Sequence, residues 1–167
     1  ILRPATVCGY SRRQRLDLVV NILTRSAYEF SEIKVLGGDQ FRPNIHISEM
    51  CRAYLKVIEA PTEIVNKKIY NVGGINYQVK ELASIVAEQF QAKDISIKYE
   101  KTNDLRSYRV NSDFIAESLG FVPILDVRDA VKDLILAFDS KKIDLSLPSS
   151  NFINIERVKQ IIENSSF

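Results

Sequence analysis

The apolar positions of the chain change period several times, and each change predicts an element. Residues 1–9 read as a strand running into a glycine turn. After the polar and basic residues 11–14, Leu16, Val19, Val20, Leu23 and Ala27 recur at helical spacing with Asp17 near the start, which predicts a helix. Residues 33–36 predict a short strand closed by Gly37-Gly38-Asp39. Residues 41–47 follow as a second extended piece, in which Arg42, Asn44 and His46 alternate with apolar or proline residues. Ser48 is the expected N-cap of a helix that carries Met50, Cys51, Tyr54, Leu55 and Ile58 and stops at Pro61.

The order strand, turn, helix then recurs. Residues 69–72 predict a strand ending in Gly73-Gly74, and Val79, Leu82, Ala83, Val86 and Phe90 an amphipathic helix. Ile95, Ile97 and Tyr99 alternate with polar residues as a half-exposed strand, and residues 108–110 suggest another short one. Asn111 or Ser112 is placed to cap a short helix ending at Gly120. Beyond Pro123, Val127, Val131, Leu134, Ile135 and Phe138 describe one more helix; residues 155–162 describe the last, and residues 141–150 between them read as a linker. Strands separated by helices, with a helix-rich end and no internal repeat, predict an α/β fold.

Composition narrows the function. A chain of 167 residues, 46% hydrophobic and 26% charged, is the size of one domain with a real core. Lys plus Arg at 23 against Asp plus Glu at 21 leaves a net charge of +2, far from the basic excess of a general nucleic-acid binder. Anionic ligands must then be met by local clusters. Charge interrupts every apolar stretch before the roughly 20 residues of a bilayer crossing, and no secretory signal opens the chain, so the expectation is a cytoplasmic protein with no membrane partner. Cys8 and Cys51 have neither zinc nor C-x-x-C spacing and read as free thiols in a reducing compartment, with no metal site. The opening strand follows no starting Met, cap or loop, so we expect a chain entered in the middle of a fold.

The candidate chemistry is a set of arginines in extended or loop settings: Arg3, then Arg12, Arg13 and Arg15 after the Gly9 turn, Arg42 after Gly-Gly-Asp-Gln, and Arg106 and Arg109 flanking Ser107-Tyr108. A guanidinium is a planar fork that grips phosphate oxygens two at a time, so converging arginines suit a diphosphate. His46, the single histidine, is of the side-chain type that titrates closest to neutrality, but it lies between Ile45 and Ile47 without a nucleophile motif. A hydrogen-bonded structural role is favoured for it. Gly37-Gly38 and Gly73-Gly74 are turn formers outside any G-x-G-x-x-G or Walker pattern. The carboxylates of residues 126–133, interleaved with Arg128 and Lys132, read as a solvated helix face.

The order of these motifs resembles the extended short-chain dehydrogenase/reductase family, in its NAD-dependent epimerase/dehydratase branch. Leu2-Arg3-Pro4-Ala5-Thr6-Val7-Cys8-Gly9-Tyr10 is similar to the strand written L-R-x-x-x-V-Y-G-P, with Cys8 and Tyr10 in place of Tyr and Pro. Residues 37–47 resemble G-x-G-x-x-R-x-x-x-H-V, with Glu49 where Asp is common. Tyr70-Asn71-Val72-Gly73 resembles Y-N-V-G. Residues 104–111 resemble the late D-x-R segment, and Leu119-Gly120-Phe121-Val122-Pro123 the closing L-G-x-x-P.

The resemblance implies the C-terminal part of an NAD(P)-binding Rossmann fold: the last sheet strands plus a small α+β substrate lobe, spanning residues 1–167. It implies a nucleotide-diphosphate sugar as substrate, with Thr6, Arg42, Arg106 and Arg109 as binding residues, and a homodimer of the intact enzyme. The family's Gly-rich turn and Tyr-x-x-x-Lys pair lie upstream of the opening strand and are absent here. The implied cofactor, NAD or NADP, therefore belongs to the intact enzyme and is not expected on these residues alone, and no catalytic residue is assigned. The implied function is the substrate-binding portion of a nucleotide-sugar epimerase or dehydratase, inactive alone. A reductase or dehydrogenase of the same family and a non-catalytic truncated paralogue that binds a ligand or partner are the alternatives.

Overall fold

Residues 2–8 form one extended run that changes partner at Ala5. The computed structural model describes residues 1–104 and 106–165. Strand β1 (Leu2–Pro4) pairs in parallel with β5 (Tyr70–Val72), and the Ala5 amide still donates to the Val72 carbonyl at 2.8 Å. From there β2 (Thr6–Cys8) pairs in parallel with β4 (Phe41–His46), whose other edge takes β6 (Asn76–Gln78) antiparallel. A third sheet pairs β3 (Glu32–Leu36) with β7 (Ser96–Glu100), again in parallel. Parallel neighbours need long crossovers, and helices supply them.

Three helices close the larger core. Val20, Leu23 and Ala27 of α1 (Val19–Phe30), Val79, Leu82, Ala83 and Val86 of α4 (Val79–Glu88), and Val127, Ala130 and Val131 of α6 (Val127–Asp139) pack with Ile33 and Val35 of β3. A second cluster joins β1, β4 and β5 to α2 (Ile47–Glu59) and α5 (Asp113–Leu119) through Ala5, Ile45, Met50, Ala53, Tyr70, Val72 and Ile115. Phe121 completes it. Buried Glu49 fastens the 121–125 segment to α2: it pairs with Arg52, accepts from the Leu125 amide at 3.2 Å, and leaves the Arg52 guanidinium 4.5 Å from the Phe121 ring centre. The short α3 (Thr62–Val65) buries nothing.

Several elements differ from the sequence reading. Helix α1 begins at Val19, and Leu16 lies ahead of it, buried under α6, because its amide bonds the Phe152 carbonyl at 3.0 Å. Strand β4 runs into α2 with no loop between, so His46 and not Ser48 is the cap: its Nδ1 accepts the Ser48 amide at 3.1 Å. Residues 108–110 join no sheet, because the Val110 amide is taken by the Asn76 side chain at 2.8 Å. Residues 141–150 are no free linker. Ile143 is buried with Phe138 and Phe152, and a 3-10 turn, Ser149–Asn151, leads to α7 (Asn154–Asn164). Of the apolar residues expected to anchor α2, only Met50 is buried. The carboxylates of α6 are more than a solvated face: Asp126 and Asp129 form a capping box, Asp126 accepts from the Tyr77 hydroxyl at 2.9 Å, and Asp133 meets His46.

Candidate functional site

The Gly37-Gly38 turn joins β3 to β4 beside a large cleft, which Leu36 and Gln40 line on either side of the turn. Gly37 has φ +78°, a region that L side chains rarely adopt, and an added Cβ would stand 2.7 Å from Thr102. The turn bonds forward to the start of α4, Lys80 amide to Gly38 carbonyl at 3.0 Å, and so aims β4 along the cleft. The cleft has a volume of about 1430 Å³ and runs from Arg15 and Asp17 past an apolar wall of Leu18, Ile22 and Leu36 to Arg42, Asp104 and Arg106.

Arg42 and Arg106, separated by 64 positions in sequence, meet here. Arg42 Nη1 donates to the Phe41 carbonyl at 3.0 Å and to the Arg106 carbonyl, while its Nη2 faces Asp104 Oδ2 at 3.4 Å. Arg106 holds the same carboxylate as a fork, Nε to Oδ1 and Nη2 to Oδ2, each at 2.7 Å. The Arg106 fork, its backbone amide and the neighbouring Arg42 charge hold the Asp104 carboxyl well below the usual carboxylate range. The segment is pinned from behind, since the Phe41 amide donates to Ser107 Oγ at 3.0 Å.

The other expected residues divide. Thr6 lines the cleft, opposite Asn44 in the β2–β4 register. Arg109 does not line it; its guanidinium lies 3.8 Å from the Phe41 ring centre, a cation–π contact that braces the strand before Arg42. Arg15 reaches the far end but is engaged there by Asp17 at 3.0 and 2.8 Å, which lowers the Asp17 pKa. Arg13 bonds Asn154, and Arg3 lies on exposed β1. Leu105, inside the D-x-R segment, lies outside the described residues. Two features escaped the sequence reading: the bridging position of Asp104, and the buried Asn44, whose Oδ1 has no hydrogen-bond partner among the described residues.

His46 is buried, and both ring nitrogens are used. Because Nδ1 accepts the Ser48 amide, the proton sits on Nε2, which donates to Asp133 Oδ2 at 3.1 Å. The ring ties the start of α2 to α6 and does not line the cleft.

A dinucleotide cradle needs backbone N–H groups free to face a pyrophosphate. All six glycine amides are already taken: Gly9 by Asn21 Oδ1 at 3.2 Å, Gly37 by the Glu100 carbonyl, Gly38 by Gln40 Oε1 at 2.7 Å, Gly73 by Ser112 Oγ at 2.9 Å, and Gly74 and Gly120 by the Asn44 and Ala116 carbonyls. These turns do not fit NAD. Among the described residues no group of three His, Cys, Asp or Glu side chains could hold a metal, and no helix is long and apolar enough to cross a membrane.

Residues 1–73 match the model of the NAD dependent epimerase/dehydratase family. Among solved structures, UDP-glucuronic acid 4-epimerase from Bacillus cereus, in complex with UDP-glucuronic acid and NAD, superposes with a TM-score of 0.71 at 19% identity, covering 84% of this chain and 45% of that one. The ADP-L-glycero-D-manno-heptose-6-epimerase of Helicobacter pylori gives 0.69 at 23% identity, covering 83% and 44%. L-threonine dehydrogenase from Phytophthora infestans gives 0.69 at 13%, covering 84% and 48%. The chain thus spans just under half the length of the structures it matches, and at these identities the likeness is one of fold. The family match covers residues 1–73 of the 167, and the chain as a whole carries the fold of the C-terminal part of Rossmann-fold epimerases and short-chain dehydrogenases.

Proposed function

We propose that this chain is the substrate-binding portion of an NAD- or NADP-dependent nucleotide-sugar epimerase or dehydratase, and that Arg42 and Arg106 grip the diphosphate of the substrate. The observation that carries the reading is the convergence of the two guanidinium groups on one anion at the mouth of the cleft. Two planar forks around a single negative group are the arrangement a diphosphate requires. Thr6 and the apolar wall of Leu18 and Ile22 extend that grip toward the rest of the ligand. Arg109 acts by bracing Phe41.

In the same proposal the cofactor cradle and the acid/base pair come from a segment preceding β1 in the same polypeptide. In support, β1 has one unpaired edge among the described residues, a row of backbone groups ready to pair with a further strand, and the matched structures are about twice as long. No Tyr in the chain is followed four positions later by Lys, so the 167 residues alone perform no hydride transfer. The intact enzyme would work as a homodimer in a reducing, cytoplasmic compartment, in keeping with two free thiols. Because an L-threonine dehydrogenase shares the fold, oxidation without epimerisation is the second reading.

Calorimetric titration tests the binding claim. The chain should bind one of a panel of uridine, thymidine, guanosine, cytidine or adenosine diphosphate sugars weakly and should not bind NAD at micromolar concentration. Arg42→Ala should weaken the sugar nucleotide by about 1.5–3 kcal/mol, the range for a hydrogen bond to a charged group. Tight NAD binding, or indifference of the sugar nucleotide to Arg42→Ala, would defeat the proposal.

A further inference from the structure

We propose that Asp104 is a displaceable internal anion, which fills the space between Arg42 and Arg106 when the cleft is empty and must swing out before a phosphate can enter. The inference rests on the reading of this cleft as a diphosphate site and adds a device that sets its affinity.

The geometry separates what Asp104 holds from what holds the arginines. Its carboxylate takes the Arg106 fork with both oxygens at 2.7 Å and turns Oδ2 toward Arg42 at 3.4 Å, so one negative group serves two cations. A phosphate would make the same contacts, with more oxygens and more charge. Asp104 and a phosphate therefore compete for the same donors.

Arg42 does not depend on Asp104 for its place. Its Nη1 is anchored on the Phe41 and Arg106 carbonyls, and its guanidinium lies 5.9 Å from the Tyr108 ring centre. The segment is held to β4 by the Phe41–Ser107 bond. The Asp104 side chain is 37% exposed; besides the two guanidinium groups its carboxylate accepts the Arg106 amide at 3.2 Å, and the Asp104 amide donates to Thr102 Oγ1 at 3.0 Å. A turn about its side-chain bonds would free both forks without breaking apolar packing. The cost of entry is the loss of these charge-assisted contacts, and the cleft in return never presents two bare cations to stray anions.

The test is calorimetric titration of the 167-residue chain with inorganic pyrophosphate, comparing the wild type, Asp104→Asn, Arg42→Ala and the Asp104→Asn/Arg42→Ala double variant, with thermal melts to verify folding. Asp104→Asn keeps the shape but removes the competing charge. Losing two partly exposed pairs should tighten pyrophosphate by about 3- to 10-fold, and Arg42→Ala should abolish that gain. Asp104→Ser, which also removes the fork partner, should gain at least as much. Unchanged or weaker binding by folded Asp104→Asn and Asp104→Ser, with wild-type binding still sensitive to Arg42→Ala, would overturn the inference and leave the diphosphate reading standing, with Asp104 as a positioning residue. A gain that survives Arg42→Ala would place the anion elsewhere and overturn the inference. Absence of pyrophosphate binding in every variant would overturn both.

Discussion

Helices α2 and α6 are both 13 residues long, both start on a side-chain cap, and both carry apolar residues at helical spacing. Their apolar residues have different surroundings. Along α6, Val127, Ala130, Val131, Leu134, Ala137 and Phe138 are all buried against the chain's own core, and Leu136 alone stands out among its large apolar residues. Along α2, Met50 and Ala53 are buried with Glu49, while Cys51, Tyr54, Leu55 and Ile58, at i, i+3, i+4 and i+7, lie exposed on one face. The hydrophobic pattern of α6 is used up within the 167 residues; that of α2 is not. An apolar stripe of this kind signals burial against something further. It lies in the part of the molecule built on the two-stranded β1–β5 sheet, where the proposed function places the preceding half of the polypeptide.

The largest effect should come from α6. Leu134 is fully buried between Leu16, Phe138 and Phe152, so Leu134→Ala loses its transfer free energy and leaves a cavity. A loss of about 2–5 kcal/mol in urea denaturation is expected. A loss below about 1 kcal/mol would mean that the α6 core is loosely packed and that the contrast with α2 is overstated.

The two cysteines report on the same contrast. Cys8 is buried in the α6 core with its thiol donating to the Ile45 carbonyl at 3.4 Å, whereas Cys51 is exposed on α2. Burial, and secondarily the Asp126 charge, push the Cys8 pKa up from 9.0 to about 12. At pH 8 a disulfide reagent should label Cys51 promptly and Cys8 at least about 100-fold more slowly, through opening of the core. The thermodynamic sign follows. A thiol whose folded pKa is raised contributes stability that is fully present below pH 9 and lost as the pH climbs from 9 toward 12. Urea midpoints at pH 8 and pH 10.5 should therefore fall less for Cys8→Ala than for wild type. Equal labelling of both thiols, or an identical fall in both proteins, would contradict the packing described. If the proposed preceding half covers α2, Cys51 should itself become slow to label in the longer polypeptide.

Much of the architecture was legible because it is local. The alternation in residues 32–36, the helical period from Val19 to Ala27 and the Gly37-Gly38 turn are each written within a few positions. What was not legible depends on pairings across the chain. Ile143 and Phe152 turn a presumed linker into core only because Leu16 and Phe138 lie against them. His46 became a cap because β4 happens to run straight into α2. The cleft was half legible: the arginine forks could be picked out by chemistry, but the Asp104 bridge required knowing that position 42 folds back against position 106. For α2, the sequence marked the apolar residues correctly as a helix face and gave no sign of which partner would cover them.

The smallest expected effect sharpens the contrast most. Leu55 is 56% exposed on the outer face of α2, so Leu55→Ala removes little buried surface in this chain and should change stability by no more than about 0.5 kcal/mol. Urea denaturation at several protein concentrations gives the measurement its force. If two copies covered each other's α2 faces, the wild-type midpoint would rise with concentration and Leu55→Ala would lower it. A flat midpoint with a near-zero effect means that the face is bare in the isolated chain. The same substitution in the longer polypeptide of the proposed function then becomes the informative one: if the preceding half covers the face, Leu55→Ala should approach the cost of a core truncation, about 2 kcal/mol or more. A cost that stayed near zero there would show that the stripe is not the seam between the two halves.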